Sequence, residues 1–266
     1  MNFLEKIVAH KQKETELRKA IVPVSELERS PLFLRQTQSL SHALMASGSS
    51  GIIAEFKRAS PSRGAIHPGA SPEKIAQAYE NCGASGISVL TETTFFNGST
   101  DDLQKARSVT SLPLLRKDFI TDEYQVIETR AIGADVILLI AGVPESKKIK
   151  ALASLAKELG LEVLFEIHHR DEIRKIPEEA DMIGVNNRNL NTFTVDIRKA
   201  LELAPLLPPN VVKVSESGLS IPETVITLKE AGYQGFLIGE TFMKTSDPGK
   251  TCRQFIEKIK IQYPKS

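Results

Sequence analysis

Residues 113–140 read PLLRKDFITDEYQVIETRAIGADVILLI, and this stretch decides the fold. A short apolar run ends in charged residues, a helical segment follows, and Gly133 separates that segment from a second apolar run at 136–140. A glycine after a helix fits the left-handed C-cap position, which disfavours residues with a Cβ atom. The stretch therefore predicts a strand–helix–strand unit of a parallel sheet.

The same unit recurs from residue 51 onward, at intervals of roughly 20 to 35 residues, the length of a βαβ repeat. The helices between the strands have start signals, because Ser71, Ser220 and Asp247 stand as candidate caps shortly before a proline. The strand candidates are residues 51–57, 86–90, 113–117, 136–140, 161–166, 182–186, 211–215 and 235–238. Eight strands alternating with helices predict an α/β fold, a (β/α)8 TIM barrel.

Residues 1–50 stand outside the repeat. Phe3, Leu4, Ile7, Val8 and Leu17 lie mostly at helical spacing in a charged segment, and a second helical piece is predicted near 39–46. A charged segment of this length could hardly bury a core of its own. We therefore expect 1–50 to be an N-terminal helical extension packed on the barrel, and 1–266 to form a single domain.

Composition excludes some classes of partner. The net charge is +1, from 34 basic and 33 acidic residues, so we expect no nucleic-acid partner. The longest apolar run, 136–141, is strand-sized, and the charged N-terminus is unlike a signal peptide, so we expect a cytoplasmic protein with no membrane association. Cys82 and Cys252 could form a disulfide, but two thiols suit a reducing cytoplasm better. We expect a monomer or weak oligomer.

Polar residues stand where the apolar runs stop, at the strand ends that carry the active site in barrels of this kind. Side chains two apart on a strand share a face, so these groups should follow the interior apolar residues into the barrel mouth. A solvated loop position explains any one of them equally well, but five strands ending this way favour a site. The predicted mouth-facing residues are Glu55, Lys57, Lys117, Glu166, Asn186 and Glu216.

Small residues follow the last two strands, in Ser217-Gly218 and in Gly239-Glu240. Phosphate commonly sits between these two loops of a TIM barrel, on backbone N–H groups that small residues leave accessible. Ordinary glycine turns explain either loop alone, but the two together favour phosphate. Glu240 should contact it through its amide rather than its carboxylate.

Six blocks, in order along the chain, resemble the indole-3-glycerol-phosphate synthase family. They are IAEFKRASPSRG (53–64), SVLTE with FFNGS (88–99), LRKDFI (115–120), ADVILLIA (134–141), IGVNNRNL (183–190) and SESG (215–218). Each block is moderately specific, whereas six in register are very specific. The resemblance covers essentially the whole chain and implies a lyase of tryptophan biosynthesis. It would convert a small phosphorylated anthranilate, 1-(o-carboxyphenylamino)-1-deoxyribulose 5-phosphate, to indole-3-glycerol phosphate, without a metal or organic cofactor.

The resemblance also implies roles. Lys117 would be the general acid that protonates the ribulose carbonyl oxygen, and Lys57 would bind the carboxylate or act as a second proton donor. Glu166 and Glu55 would serve as base and as partners of the lysines, and Glu216 would complete the polar ring. The implied substrate-binding residues are Asn186 and Arg188 for the carboxylate and sugar hydroxyls, Ser60 for the carboxylate or sugar, Ser217, Gly218, Gly239 and Glu240 for phosphate, and Phe96, Phe119, Leu138 and Leu190 for the aryl ring.

Other functions fit parts of the pattern. Glu55, Lys57 and Lys117 also suit a Schiff-base aldolase, because a desolvated lysine forms imines readily. A phosphoribosyl-anthranilate isomerase would need a cysteine near Phe56, and a non-catalytic binding barrel would not need the lysines. His168-His169 could suggest a metal, but adjacent strand residues point opposite ways, and we expect none.

Overall fold

The computed structural model describes residues 3–143 and 146–263. Its strands form a closed parallel barrel in which each pairs with the next along the chain and the first pairs with the last. They are β1 (Ile52–Phe56), β2 (Gly86–Leu90), β3 (Leu114–Lys117), β4 (Val136–Ile140), β5 (Glu162–Ile167), β6 (Met182–Asn186), β7 (Val212–Glu216) and β8 (Gly235–Ile238). The predicted (β/α)8 TIM barrel is confirmed. The fifth and seventh predicted strands lie one residue further along the chain than expected, and β1 and β3 are shorter.

Helices surround the barrel and precede it. The extension contains α1 (Phe3–Ile21), α2 (Val24–Leu27) and α3 (Leu40–Met45); the barrel contributes α4 (Pro72–Asn81), α5 (Thr100–Arg107), α6 (Glu123–Ala131), α7 (Ser146–Glu158), α8 (Arg198–Leu203), α9 (Pro222–Glu230), α10 (Glu240–Met243) and α11 (Pro248–Gln262). A 3₁₀ helix, Arg170–Lys175, connects β5 to β6 in place of an α-helix, and another, Ala204–Leu206, follows α8. The loop after β1 contains a short hairpin of Ala59–Ser60 with Gly64–Ala65. No helix in the described ranges is long and apolar enough to span a membrane.

The predicted helix boundaries are mostly confirmed. Ser71 caps α4 and Asp247 caps α11, each accepting a backbone N–H from the first turn. The prediction that Ser220 caps α9 is wrong, because Pro222 is the first helical residue and Ile221 occupies the cap position without a side-chain hydrogen bond. Gly133 has the left-handed conformation predicted for it, and Gly83, Gly160 and Gly232 adopt the same conformation after other helices.

Alternate strand residues divide the core into two layers. One set, including Ile52, Ala54 and Phe56 of β1, packs against the surrounding helices. The other fills the barrel interior, where Ile53 meets Leu115 and Leu164. Interior side chains continue along each strand toward its C-terminal end, and this alternation brings polar residues to the mouth.

Helix α3 of the extension closes the end of the barrel that lies opposite the mouth. Leu40 and Leu44 of α3 are buried within the interior cluster. The fit is close, because a Cβ atom at Gly86, the first residue of β2, would lie 2.5 Å from Leu40 Cδ1. Glu162 at the start of β5 accepts the backbone N–H of Leu40 at 2.7 Å and the hydroxyl of Ser41 at 2.6 Å. A buried apolar plug held by hydrogen bonds therefore seals the base.

The first and last helices of the barrel also meet. Cys82, which follows α4, and Cys252 of α11 are buried free thiols whose Sγ atoms lie 2.7 Å apart. This contact joins residues that are distant in sequence because the barrel closes between β1 and β8.

Candidate active site

A single cavity of about 390 Å³ opens at the C-terminal end of the barrel. It collects every residue that the sequence analysis assigned to the site. These lining residues are Glu55, Lys57, Ser60, Phe96, Lys117, Phe119, Leu138, Glu166, Asn186, Arg188, Leu190, Glu216, Ser217, Gly218, Gly239 and Glu240. Their individual roles remain predictions.

Lys117, the last residue of β3, is the centre of the polar floor. Its Nζ donates to Glu166 Oε2 of β5 at 2.6 Å and to Glu216 Oε2 of β7 at 2.5 Å. Asn186 of β6 donates its Nδ2 to the other oxygen of Glu166 at 3.0 Å. One hydrogen-bonded cluster thus joins the ends of four strands, β3, β5, β6 and β7, whose parallel C-terminal ends face one another across the mouth of the closed barrel.

Burial and mutual charge set the protonation of this cluster. Burial alone would lower the pKa of Lys117, but the charges of Glu166 and Glu216 raise it above its usual value. Burial opposes ionisation of Glu166, yet the charge of Lys117 and the nearby imidazole of His168 hold its pKa well below the usual range. Burial and the charge of Glu166 raise the pKa of Glu216 to about 8. At neutral pH the cluster therefore holds an ammonium, a carboxylate and a largely protonated carboxylic acid.

A second pair lies at the end of β1, where Lys57 Nζ is 2.6 Å from Glu55 Oε1. Glycines make room for the carboxylates of the mouth. A Cβ atom at Gly239 would lie 2.3 Å from Glu55 Oε1, and one at Gly184 would lie 2.4 Å from Glu216 Oε1. Both distances are far below a van der Waals contact, so glycine at these positions is a packing requirement of the site.

The loops after β7 and β8 lie side by side, as expected for an anion site. Ser217 and Gly218 turn with φ of 66° and 80°, and Thr241 Oγ1 donates to Leu219 O at 3.2 Å. The carboxylate of Glu240 is engaged by Arg63 Nε at 2.9 Å. Arg63 partly compensates the negative charge of Glu240, so the backbone amides of these two loops are the groups that can bind an anion.

The remaining wall is apolar. The rings of Phe96 and Phe119 lie 6.2 Å apart. Sequence reasoning missed the part supplied by α1, where Phe3 packs against Phe95 at 5.6 Å and against Phe193 at 5.2 Å between ring centroids. Leu4 and Ile7 of α1 line the same cavity. Their helical spacing indicated a buried face, but nothing local indicated which end of the barrel it covers.

A buried ion network, also missed, fixes α1 beside β3. Lys11 Nζ of α1 lies 3.0 Å from Asp118 Oδ1, and Arg116 Nη2 lies 3.2 Å from Asp118 Oδ2. Burial would raise the pKa of Asp118, but Lys11 and Arg116 lower it to about 2. Asp118 follows Lys117 directly, so the network anchors the segment that carries the central ammonium.

The histidine pair does not form a metal site. His168 is buried with Nε2 3.2 Å from Glu166 Oε1, whereas His169 is exposed. Across the described ranges, the only group with metal-ligand spacing is His10, Glu14 and Glu92, with ligand atoms within 4.8 Å of one another. Both oxygens of Glu92 already accept backbone N–H groups, so this group carries no metal assignment.

A central ammonium between two carboxyl groups of opposed pKa is a set of groups suited to general acid–base catalysis. An apolar wall and an anion-binding rim around it favour a substrate that is partly aromatic and carries a phosphate.

Comparison with known sequences places the chain. A family model described as "Indole-3-glycerol phosphate synthase" matches residues 4–255. The indole-3-glycerol phosphate synthase of Bacteroides thetaiotaomicron is 48% identical over 258 residues, covering 97% of this chain and 99% of the relative. That of Laribacter hongkongensis is 42% identical over 253 residues, covering 93% and 96%.

Solved structures show the same fold at low sequence identity. The 3-hexulose-6-phosphate synthase of Salmonella typhimurium superimposes with a TM-score of 0.63 and 15% identity, over 80% of this chain and 99% of that chain. KGPDC of Streptococcus mutans gives 0.60 and 14%, over 79% and 97%.

Proposed function

Because this chain belongs to the indole-3-glycerol phosphate synthase family, we propose that Lys117 is the general acid of its reaction. The enzyme converts 1-(o-carboxyphenylamino)-1-deoxyribulose 5-phosphate to indole-3-glycerol phosphate, carbon dioxide and water. The observation that carries the role of Lys117 is its Nζ, held 2.6 Å from Glu166 and 2.5 Å from Glu216 on the floor of the cavity.

The first step closes the ring. The aromatic ring carbon attacks the ribulose carbonyl, and Lys117 protonates the carbonyl oxygen as the new bond forms. Loss of carbon dioxide from the resulting cation returns the bonding electrons to the ring and restores its aromaticity. A proton donor is needed because an alkoxide in an apolar cavity would be strongly destabilised.

The second step removes water. The hydroxyl group leaves with a proton from Lys57, while Glu166 takes a proton from the substrate and the indole double bond forms. Glu55 Oε1 lies 2.6 Å from Lys57 Nζ and fixes its position through this ion pair. Lys117 therefore supplies the acid of the first step, Lys57 the acid of the second step and Glu166 the base of the second step.

Binding groups surround these pairs. Phosphate binds at Ser217, Gly218, Gly239 and the amide of Glu240, and the aryl ring lies against Phe96, Phe119, Leu138 and Leu190. Asn186 and Arg188 hold the carboxylate and sugar hydroxyls, with Ser60 beside them. The presence of both an apolar wall and the glycine loops around one cavity supports this orientation.

The test is turnover of the purified protein, followed by indole fluorescence, with and without a chelator. We expect equal product formation in both, since no step requires a metal. Absence of turnover would overturn the proposed roles, and loss of turnover with chelator would overturn the metal-free mechanism.

An imine mechanism on Lys57 or Lys117 is the competing proposal. Lys117 has a raised pKa and so favours the protonated form, which cannot attack a carbonyl, and Lys57 is engaged in a close ion pair with Glu55. Borohydride added with substrate should leave the protein mass unchanged. A substrate-sized adduct on either lysine would favour the aldolase instead.

The cellular setting follows from the surface and the thiols. We propose a cytoplasmic enzyme that is a monomer or weak oligomer and does not bind nucleic acid, since basic and acidic residues balance at 34 and 33 and Cys82 and Cys252 are free. Analytical ultracentrifugation at micromolar concentration tests the oligomeric state.

A further inference from the structure

His168 lies next to Glu166 at the C-terminal end of β5. It follows the last residue of β5, and alternation gives it the same face as Glu166 two positions earlier. Its side chain is 8% exposed and is not among the residues that line the cavity. Its contact with the site is through Glu166, which does line the cavity.

The neighbour that it faces is the carboxylate. His168 Nε2 lies 3.2 Å from Glu166 Oε1, and this buried nitrogen has no well-aligned hydrogen bond to any group in the described ranges. A lone pair facing a carboxylate would be repelled, so the N–H must be on Nε2. Glu172 fixes the backbone that carries the ring, because its Oε2 accepts the N–H of His168 at 2.6 Å.

We propose that His168 is a positioning residue, which holds Glu166 Oε1 so that the carboxylate keeps its place while Lys117 transfers its proton to the substrate. The inference rests on the role of Lys117 proposed above. Glu166 accepts a hydrogen bond from Lys117 at Oε2 and from Asn186 at Oε1, and His168 Nε2 faces the same Oε1 at 3.2 Å.

His168 is needed once Lys117 has transferred its proton to the substrate. As an ammonium, Lys117 attracts Glu166 strongly, but as a neutral amine it is only a weak donor. Two other ionisable groups interact with the carboxylate of Glu166. Glu216 faces it from β7. Lys199 of α8 interacts with it from further away, because its Nζ donates a hydrogen bond to Asn186 O at 3.1 Å. Asn186 and His168 are then the donors that keep Glu166 directed for the later proton abstraction.

The test compares two replacements. His168→Phe keeps a ring and removes the donor, whereas His168→Gln keeps an N–H near the position of Nε2. We expect His168→Phe to lower kcat by about ten- to hundred-fold, the effect of one hydrogen bond to a charged group, with little change in KM. His168→Gln should recover most of this loss. The control is His169→Asn, which changes the exposed neighbour and retains a side chain able to cap the 3₁₀ helix.

Two readouts separate positioning from a structural role. Loss of a donor favours the protonated carboxyl, so the acid limb of the kcat–pH profile should move to higher pH in His168→Phe and stay in place in His168→Gln. In a Glu166→Gln background, His168→Phe should have no further effect on kcat. Additive losses, or an unmoved acid limb, would overturn the proposal.

A third measurement does not depend on turnover. Nitrogen-15 NMR of the wild-type imidazoles, assigned with His168→Gln, should show His168 protonated at Nε2, and Glu166→Gln should shift that signal. A wild-type His168 with Nε2 unprotonated at neutral pH would overturn the inference even in an active enzyme. The expected signal in a protein without turnover would overturn the proposed function alone.

Discussion

Lys117 is kept protonated mainly by the carboxylate of Glu166 on β5, and it also donates to the carboxyl group of Glu216 on β7. If it acts as the transition state develops, Lys117→Ala should lower kcat by about 10²–10⁴-fold or more, with a smaller change in KM. Steady-state kinetics measures both constants. Lys105→Ala, which removes an exposed lysine paired with Asp101 on α5, is the matched control. A near-normal kcat in Lys117→Ala would move the role of acid to Lys57.

Glu216 gives a pH signature. Its pKa is about 8 in the folded protein against an ordinary value of 4.5, because burial and Glu166 disfavour its charge. The folded state therefore holds this proton more tightly than the unfolded state does. The resulting stability is fully present below pH 4.5 and is lost as pH rises through 8.

Glu216→Gln, which stays neutral, should consequently lose less stability than wild type between pH 6 and pH 9 (roughly one unit or more on either side of that pKa). Urea unfolding at a series of pH values measures the difference. Parallel curves for the two proteins would mean that Glu216 has an ordinary pKa.

At the scale of elements, β6 contributes to the site and also leaves space for a carboxyl group of the neighbouring strand β7. A Cβ atom at Gly184 would lie 2.4 Å from Glu216 Oε1, so Gly184→Ala should displace that carboxyl from Lys117. We expect a fall in kcat of about 100-fold, the order of effect that a misplacement near 1 Å produces. Gly69→Ala is the control, because a Cβ atom there meets nothing within 4 Å. Equal activity of the two variants would show that the mouth can relax around the added methyl group.

The strands and helices also show which features of the structure can be predicted from the sequence. Strand alternation, which is local, predicts Lys117 and Glu166 at the mouth, and the structure places both there. The register between strands is set by contacts across the barrel, so β7 reaches Glu216 opposite Asn186, one residue beyond its predicted end. Phe3 at the cavity could not be predicted, because helical spacing identifies a buried face and not its partner.

Ion pairs between residues that are distant in the sequence could not be predicted either. In the sequence, Lys11 is one of several lysines in a charged helical segment, but in the structure it is buried against Asp118. Only the packing of α1 across β3 brings the two together, and no short-range pattern encodes that packing.

At the scale of the whole molecule, the extension and the barrel should unfold together. Leu40 of α3 is fully buried within the barrel interior, so Leu40→Ala should lower the free energy of unfolding by about 2–5 kcal/mol. Met45 on the same helix is 59% exposed, and Met45→Ala should change it little. Calorimetry should show one transition for each protein. A separate early transition, moved only by Leu40→Ala, would mean that residues 1–50 are an independent unit.

The extension has a further consequence for how the chain is made. Its contacts lie far ahead in sequence, since Arg18 binds Glu128 110 positions later and the N–H of Leu40 binds Glu162 122 positions later. A ribosome delivers these first residues long before their docking surfaces exist. Nascent chains stalled before β5 has emerged should therefore present the extension to proteases, and completed chains should protect it. Residues 1–50 are synthesised before the surfaces on which they dock, so they are among the last to reach their final place.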